Sequence, residues 1–237
     1  MEDHSHTVEG IQARLLGSAK FSYLRDLVYG GVDGAVTTFA IVAGVQGAGL
    51  STSIIVILGI ANILADGFSM AAGNYSATKA DLDDRRRIIE IEERHIRDHR
   101  AGEIEELRQI LEMRGLSGET LEDATDLIVR NKDKWIGFML TDEYGLSADE
   151  PRPIRSALAT FVAFLVAGSV PLLPFVLDMP RPFDTSIAAT ALTFFLIGAA
   201  KSRWSLAKWW YSGGETLLIG SMAAGVAYWV GSLFHSG

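Results

Sequence analysis

Two runs of potential ligands lie along one stretch of this 237-residue chain. Asn62, Asp66, Met70 and Asn74 recur every four residues, a spacing that puts them on one face of a helix. They sit in an apolar segment, SIIVILGIANILADGFSMAAG. Glu92, His95, His99, Glu103 and Glu106 follow in and just beyond a charged one, KADLDDRRRIIEIEERHIRDHR. Carboxylates bring charge to a cation, and amide and hydroxyl oxygens bring neutral donors. A soft thioether favours a transition metal over Mg2+ or Ca2+. Upstream, Asp33 is the one charged residue between positions 27 and 65. A carboxylate in hydrocarbon is costly, so it must face a partner or a water-filled path. Thr37 lies one turn further along the same face. A cation passing between these helices would meet Asp33, Thr37, Asn62, Asp66, Ser69, Met70 and Asn74. Asp33 as a structural hydrogen-bonding group is the other reading of the same position.

The charged run and its neighbours offer several ligand spacings. Glu92-x-x-His95 matches the ligand pair of di-iron helix bundles. His95 and His99, four apart, could chelate one metal. Glu103-x-x-Glu106 and Met139-x-x-x-Glu143 add carboxylates and a thioether one turn apart. Acidic pairs on helices are also common as solvated faces, so each spacing has a plain alternative. His4 and His6 read as part of a solvated terminus.

The elements that carry these residues follow from hydropathy. Hydrophobic residues make up 49% of a chain that is also 21% charged, with mean hydropathy +0.22. The two classes are segregated. Apolar runs near 27–45, 52–76, 156–177, 186–200 and 216–234 give five candidate spans. Between the second and third, acidic residues outnumber basic ones in a segment with helix signals throughout. The second span runs without a proline into that segment. One helix over 52–100, about 49 residues, would be about 73 Å long, where a bilayer core needs only about 20 residues. Gly102 is expected to break it, Gly115 to end the next helix, Ser117 to cap another, and Gly145 to end a last short one. Gly30 and Gly34 allow close approach of a neighbouring helix. Pro171 and Pro174 should bend or end the third span. Lys201 can snorkel from the short fourth, beside the aromatic belt of SRWSLAKWW.

These readings predict an all-α membrane protein: five transmembrane helices with a helical cytosolic metal-binding insert between the second and third. The divisions are 1–25, a cytosolic N-terminal segment; 26–76, the first two membrane helices; 77–153, the insert continuing the second helix; and 154–237, helices three to five. With five spans, all 21 Lys and Arg except Arg181 fall on one side. That side is therefore cytosolic, with the N-terminus and insert there and the C-terminus outside. The polar N-terminus does not read as a cleavable signal. With no cysteine there are no disulfides, thiolate metal sites or cysteine nucleophiles.

Three passages make the chain similar to a known family: DLVYGGVDGAVTTFAIVAGV, LADGFSMAAGNY, and WIGFMLTDEYGL followed by a proline-started span. Together, over nearly the whole chain, they resemble the vacuolar iron transporter family, including its bacterial members. The resemblance implies export of Fe2+, and often Mn2+, from the cytosol in exchange for protons. It implies a homodimer whose pathway is formed by the first two helices of both subunits. The family's membrane aspartate matches Asp33 and its pathway methionine Met70. A family glutamate falls on Asn62, with Asp66 one turn later. In the soluble domain Glu103, Glu106, Met139 and Glu143 match metal ligands. An earlier glutamate pair falls on Glu92 and His95, or on Glu90 and Glu93.

The leading functional expectation is a proton-coupled divalent metal transporter in a bacterial inner membrane or a vacuole-type membrane. Its partners would be Fe2+ or Mn2+, protons and lipid, with no organic cofactor, no enzymatic activity and no nucleic acid. A membrane-tethered ferroxidase would need a second Glu-x-x-His, which a dimer would have to supply. A metal sensor would leave Asp33 and Asp66 without a role.

Overall fold

The computed structural model describes residues 7–16, 22–147 and 149–234. His4 and His6 lie outside them. Among the described residues every regular element is a helix. A short α1, Val8–Leu16, is followed by α2, Leu24–Gly47, and the 47-residue α3, Thr52–Asp98. Three shorter helices come next: α4, Arg100–Met113; α5, Gly118–Val129; and α6, Lys132–Asp142. The chain closes with α7, Pro153–Ser169; the single turn α8, Leu173–Val176; α9, Pro182–Lys201; and α10, Trp209–Leu233. Four of these, α2, α3, α9 and α10, are long and apolar enough to cross a membrane, and α7 is a shorter apolar helix. The protein is thus an all-α membrane protein. It divides into two compact units, Ala77–Arg152 and the remainder, and α3 contributes to both.

In the membrane unit α2 is the hub, packed on α7, α9 and α10. Its small residues set the distances. A Cβ on Gly34 would stand 2.5 Å from the Phe164 carbonyl oxygen and 2.9 Å from its Cα. Gly30 meets the Thr160 backbone in the same way, one turn earlier. Without a hydrophobic drive between helices in lipid, such backbone approach is what holds them together. Gly34→Ala should therefore cost about 1–3 kcal/mol through overpacking. A fall in the thermal midpoint of the detergent-solubilised protein checks this, and an unmoved midpoint would mean that α7 gives way.

Several boundaries differ from those expected, each for a local reason. The long helix breaks at His99 (φ −132, ψ 34), not at Gly102. Gly102 sits in the first turn of α4, where its side has open space and Glu103 favours the helix N-terminus. Ser117 occupies the N-cap of α5, but its side chain makes no capping hydrogen bond. Gly115 and Gly145 adopt φ +94 and +66 after α4 and α6, as chain reversal past a helix end requires. The third apolar run is split at Ser169, because Pro171 cannot continue a helix, while Pro174 lies in the first turn of α8, where its missing N–H costs nothing. The fourth extends to 20 residues, with Pro182 at its N-terminal end. The fifth starts at Trp209, so Glu215 lies inside the helix. There it accepts a hydrogen bond from Lys201 Nζ at 3.3 Å, which offsets the charge.

The unit Ala77–Arg152 has its own core: Ile88, Ile96, Leu107, Leu111, Leu121, Trp135, Met139 and Leu140, all buried. Along α3 the buried positions Ile88, Glu92 and Ile96 recur every turn. A carboxylate thus holds a place where periodicity calls for an apolar side chain.

Candidate metal sites

The membrane unit pairs α2 with α3 through polar side chains. Asn62 Nδ2 donates to Thr37 Oγ1 at 3.3 Å, and Thr37 donates to the Asp33 carbonyl at 2.9 Å. Asp66 is close enough for its charge to act on Asp33. Asn74 Nδ2 donates to Asp26 Oδ1 at 2.8 Å. Seven and four residues along α2, from Asp26 to Asp33 to Thr37, match eight and four back along α3, from Asn74 to Asp66 to Asn62. That is the register of two antiparallel helices whose polar stripes face each other. Met70 lies on the α3 stripe between Asp66 and Asn74, half-buried like both of them. The arrangement offers a cation or a proton successive oxygen donors.

Asn74 also lies 2.6 Å from Thr160 Oγ1 and 3.3 Å from the Ser156 carbonyl on α7. Its two amide protons are thus engaged in tying α3 to α2 and α7. Its partner Asp26 was not among the residues singled out from sequence. The signal was present, since Asp26 precedes Asp33 by seven residues, two turns on the same face.

In the unit Ala77–Arg152 the chain bends at His99 between α3 and α4. Glu92, His95 and Glu103 each offer a ligand atom, and the three atoms lie within 4.8 Å of one another. His95 Nδ1 is 3.2 Å from Glu103 Oε1. Glu92 is 1% exposed and Glu103 6%. Glu92 Oε2 and Glu103 Oε2 are buried with no hydrogen-bond partner. Buried carboxylate oxygens are costly unless paired or coordinating a cation, so two of them in one cluster point to a cation. Tyr144, which sequence reading passed over, donates its hydroxyl proton to Glu92 Oε1 at 2.9 Å.

Glu143, the C-cap of α6, and Glu106 complete the acidic group through their charges. Met139 is wholly buried one turn before Glu143. Of the alternative pair, Glu90 is exposed and Glu93, also exposed, accepts from Lys132 Nζ at 2.8 Å. His99 is exposed at the bend. Its ring centroid lies 6.4 Å from that of His95 in an edge-on arrangement.

Burial, then the charges of Glu106, Glu92 and Glu103, push the Glu143 carboxyl up from 4.5 to about 7. Burial and the charges of Glu92 and Glu106 raise Glu103 too, opposed by His95. The folded chain therefore holds the Glu143 proton more tightly than the unfolded chain does. The associated stability is present below about pH 4.5 and lost as pH rises toward about 7. A bound cation reverses the balance by favouring the ionised form. Metal affinity is accordingly expected to climb from about pH 6 to about pH 8. Titration calorimetry in two buffers of different ionisation enthalpy would register the released proton. A flat affinity over that range would remove Glu143 from the site.

The comparisons bear on the whole chain. The model of the VIT family matches residues 24–232. Vacuolar iron transporter 1 of Arabidopsis thaliana is 32% identical over 209 residues, covering 86% of this chain and 83% of the relative. The protein of the same name from Tulipa gesneriana is 33% identical, covering 86% and 84%. The vacuolar iron transporter of Toxoplasma gondii is 32% identical, covering 90% and 74%. With a family match across nearly all the described residues and relatives aligned over most of their length, the chain belongs to the VIT family.

Proposed function

We propose that this protein is a proton-coupled transporter that moves divalent metal, Fe2+ and Mn2+, out of the cytosol. The observation that carries the reading is the pair of facing polar stripes on α2 and α3, with Asp33 and Asp66 inside apolar helices. Carboxylates at membrane depth are costly and mark ion paths. Protons and metal would compete for them, so a proton arriving from outside releases bound metal. The names of the relatives support iron as cargo. The cluster on α3 and α4 would gather metal ahead of transport.

In this reading α7, with the turn that follows it, is a fifth span, and the N-terminus and soluble unit are cytosolic. The working form is a homodimer. Ile57, Leu58, Leu64 and Phe68 on α3 are exposed in the single chain, an apolar face open to lipid and to a partner copy alike. Flux into proteoliposomes containing this protein alone, loaded with a pH dye and offered several metals, tests the proposal. Metal entry coupled to proton exit in inverted vesicles is expected. No flux from a folded, metal-binding protein would leave a sensor as the reading.

A further inference from the structure

The buried cluster is asymmetric. Glu92 has one oxygen engaged by a phenol and the other free, with the residue only 1% exposed. Glu103 repeats the pattern, with Oε1 beside His95 Nδ1 and Oε2 unpartnered. Each carboxylate therefore keeps one buried oxygen unpartnered. The phenol comes from Tyr144, two residues past the end of α6 and 52 along the chain from Glu92. A tyrosine hydroxyl has one proton; Glu92 Oε1, at 2.9 Å, is its leading acceptor, with the neighbouring Glu143 carboxylate a second, weaker one.

We propose that Tyr144 is a specificity-determining residue of this site: its hydrogen bond to Glu92 Oε1 disfavours bidentate binding by Glu92, which works against Ca2+ relative to a small transition-metal ion. The inference rests on reading the cluster as a metal site. The chemistry of the two classes of ion carries it. Ca2+ takes about six to eight oxygens and draws heavily on bidentate carboxylates. A transition ion is content with fewer ligands and gains from an imidazole, which His95 supplies. Supporting hydrogen bonds to ligand carboxylates also fix the atom that binds. Tyr144 is 37% exposed, so its ring is not the core of the unit and Phe can replace it.

The test compares Co2+ with Ca2+ by titration calorimetry on the full-length protein in detergent. Co2+ stands in for Fe2+ without its oxidation. In Tyr144→Phe the Glu92 carboxylate is freed to bind through both oxygens. Co2+ affinity should fall about ten-fold, the usual loss on removing a supporting group. Ca2+ affinity should hold or rise, so the ratio narrows by at least that factor. Equal weakening for both ions would make Tyr144 a packing residue and overturn the proposal, as would no change for either. Wild-type protein that binds no Co2+ would overturn the site itself, a different and recognisable failure. A second measurement needs no variant. The d–d absorption of Co2+ on the wild-type protein should be intense, as for four or five ligands. The weak bands of six-coordinate Co2+ would count against restricted coordination.

Discussion

Asp33→Asn is expected to abolish metal-driven proton movement while leaving the protein folded. The substitution keeps the size and hydrogen-bonding capacity of the side chain and removes only its titratable charge. Asp33 is half-buried on α2, feels the charge of Asp66 on α3, and is flanked by the Thr37–Asn62 bond. A path ligand there must be ionised to hold metal and neutral to release it, and an amide, always neutral, cannot switch between the two. Asp66→Asn should impair transport strongly. Met70→Leu keeps the volume and removes the sulfur, so it should mainly weaken discrimination among metals. Proteoliposome flux with a pH dye, beside a thermal unfolding curve of each variant, reads both quantities. A purely structural Asp33 would reverse the pattern, with poor folding but normal activity in what survives. Wild-type flux from folded Asp33→Asn protein would defeat the assignment.

Glu103→Gln combined with Glu106→Gln is expected to cut metal affinity by at least about ten-fold, because loss of even a supporting group at such sites costs that much. Transport should persist at high metal, where gathering by the soluble unit no longer limits supply. The pair also carries a stability signature. Glu103 is buried with an unpartnered oxygen and stands among the charges of Glu92 and Glu106. Neutralising it relieves repulsion, so the metal-free variant should unfold no more easily than wild type. Metal at 100-fold over its dissociation constant stabilises a single-site protein by about 2.7 kcal/mol. That increment should largely vanish in the variant. Retention of the full metal-induced rise in melting temperature would mean that neither glutamate holds the metal.

Much of this was open to a reader of the sequence alone. Segregated hydropathy marked α2, α3, α9 and α10, because a membrane span is a local property of about 20 residues. The four-residue spacing of Asn62, Asp66, Met70 and Asn74 fixed their common face, because helical geometry is local too. Helix ends at Gly115 and Gly145 were readable from glycine's tolerance of positive φ. Starts and stops set by neighbours were not. Trp209 begins α10 well before its apolar stretch, since Gly213 packs under Phe195 and Lys201 reaches Glu215.

The chain's own order determined which residue types were available, and tertiary structure decided which of them meet. Glu92, His95, Glu103 and Glu106 could have lined one straight helix and bound nothing together. The bend at His99 put Glu103 beside His95, and burial then left two carboxylate oxygens without partners. Asp26 and Asn74 are 48 residues apart, and Tyr144 and Glu92 are 52 apart. Spacing places Asp26 on the Asp33 face of α2 but does not name Asn74 as its partner, and no spacing relates Tyr144 to Glu92. A hydrogen bond needs two atoms about 3 Å apart, and at such separations only the packing of one helix against another brings them there.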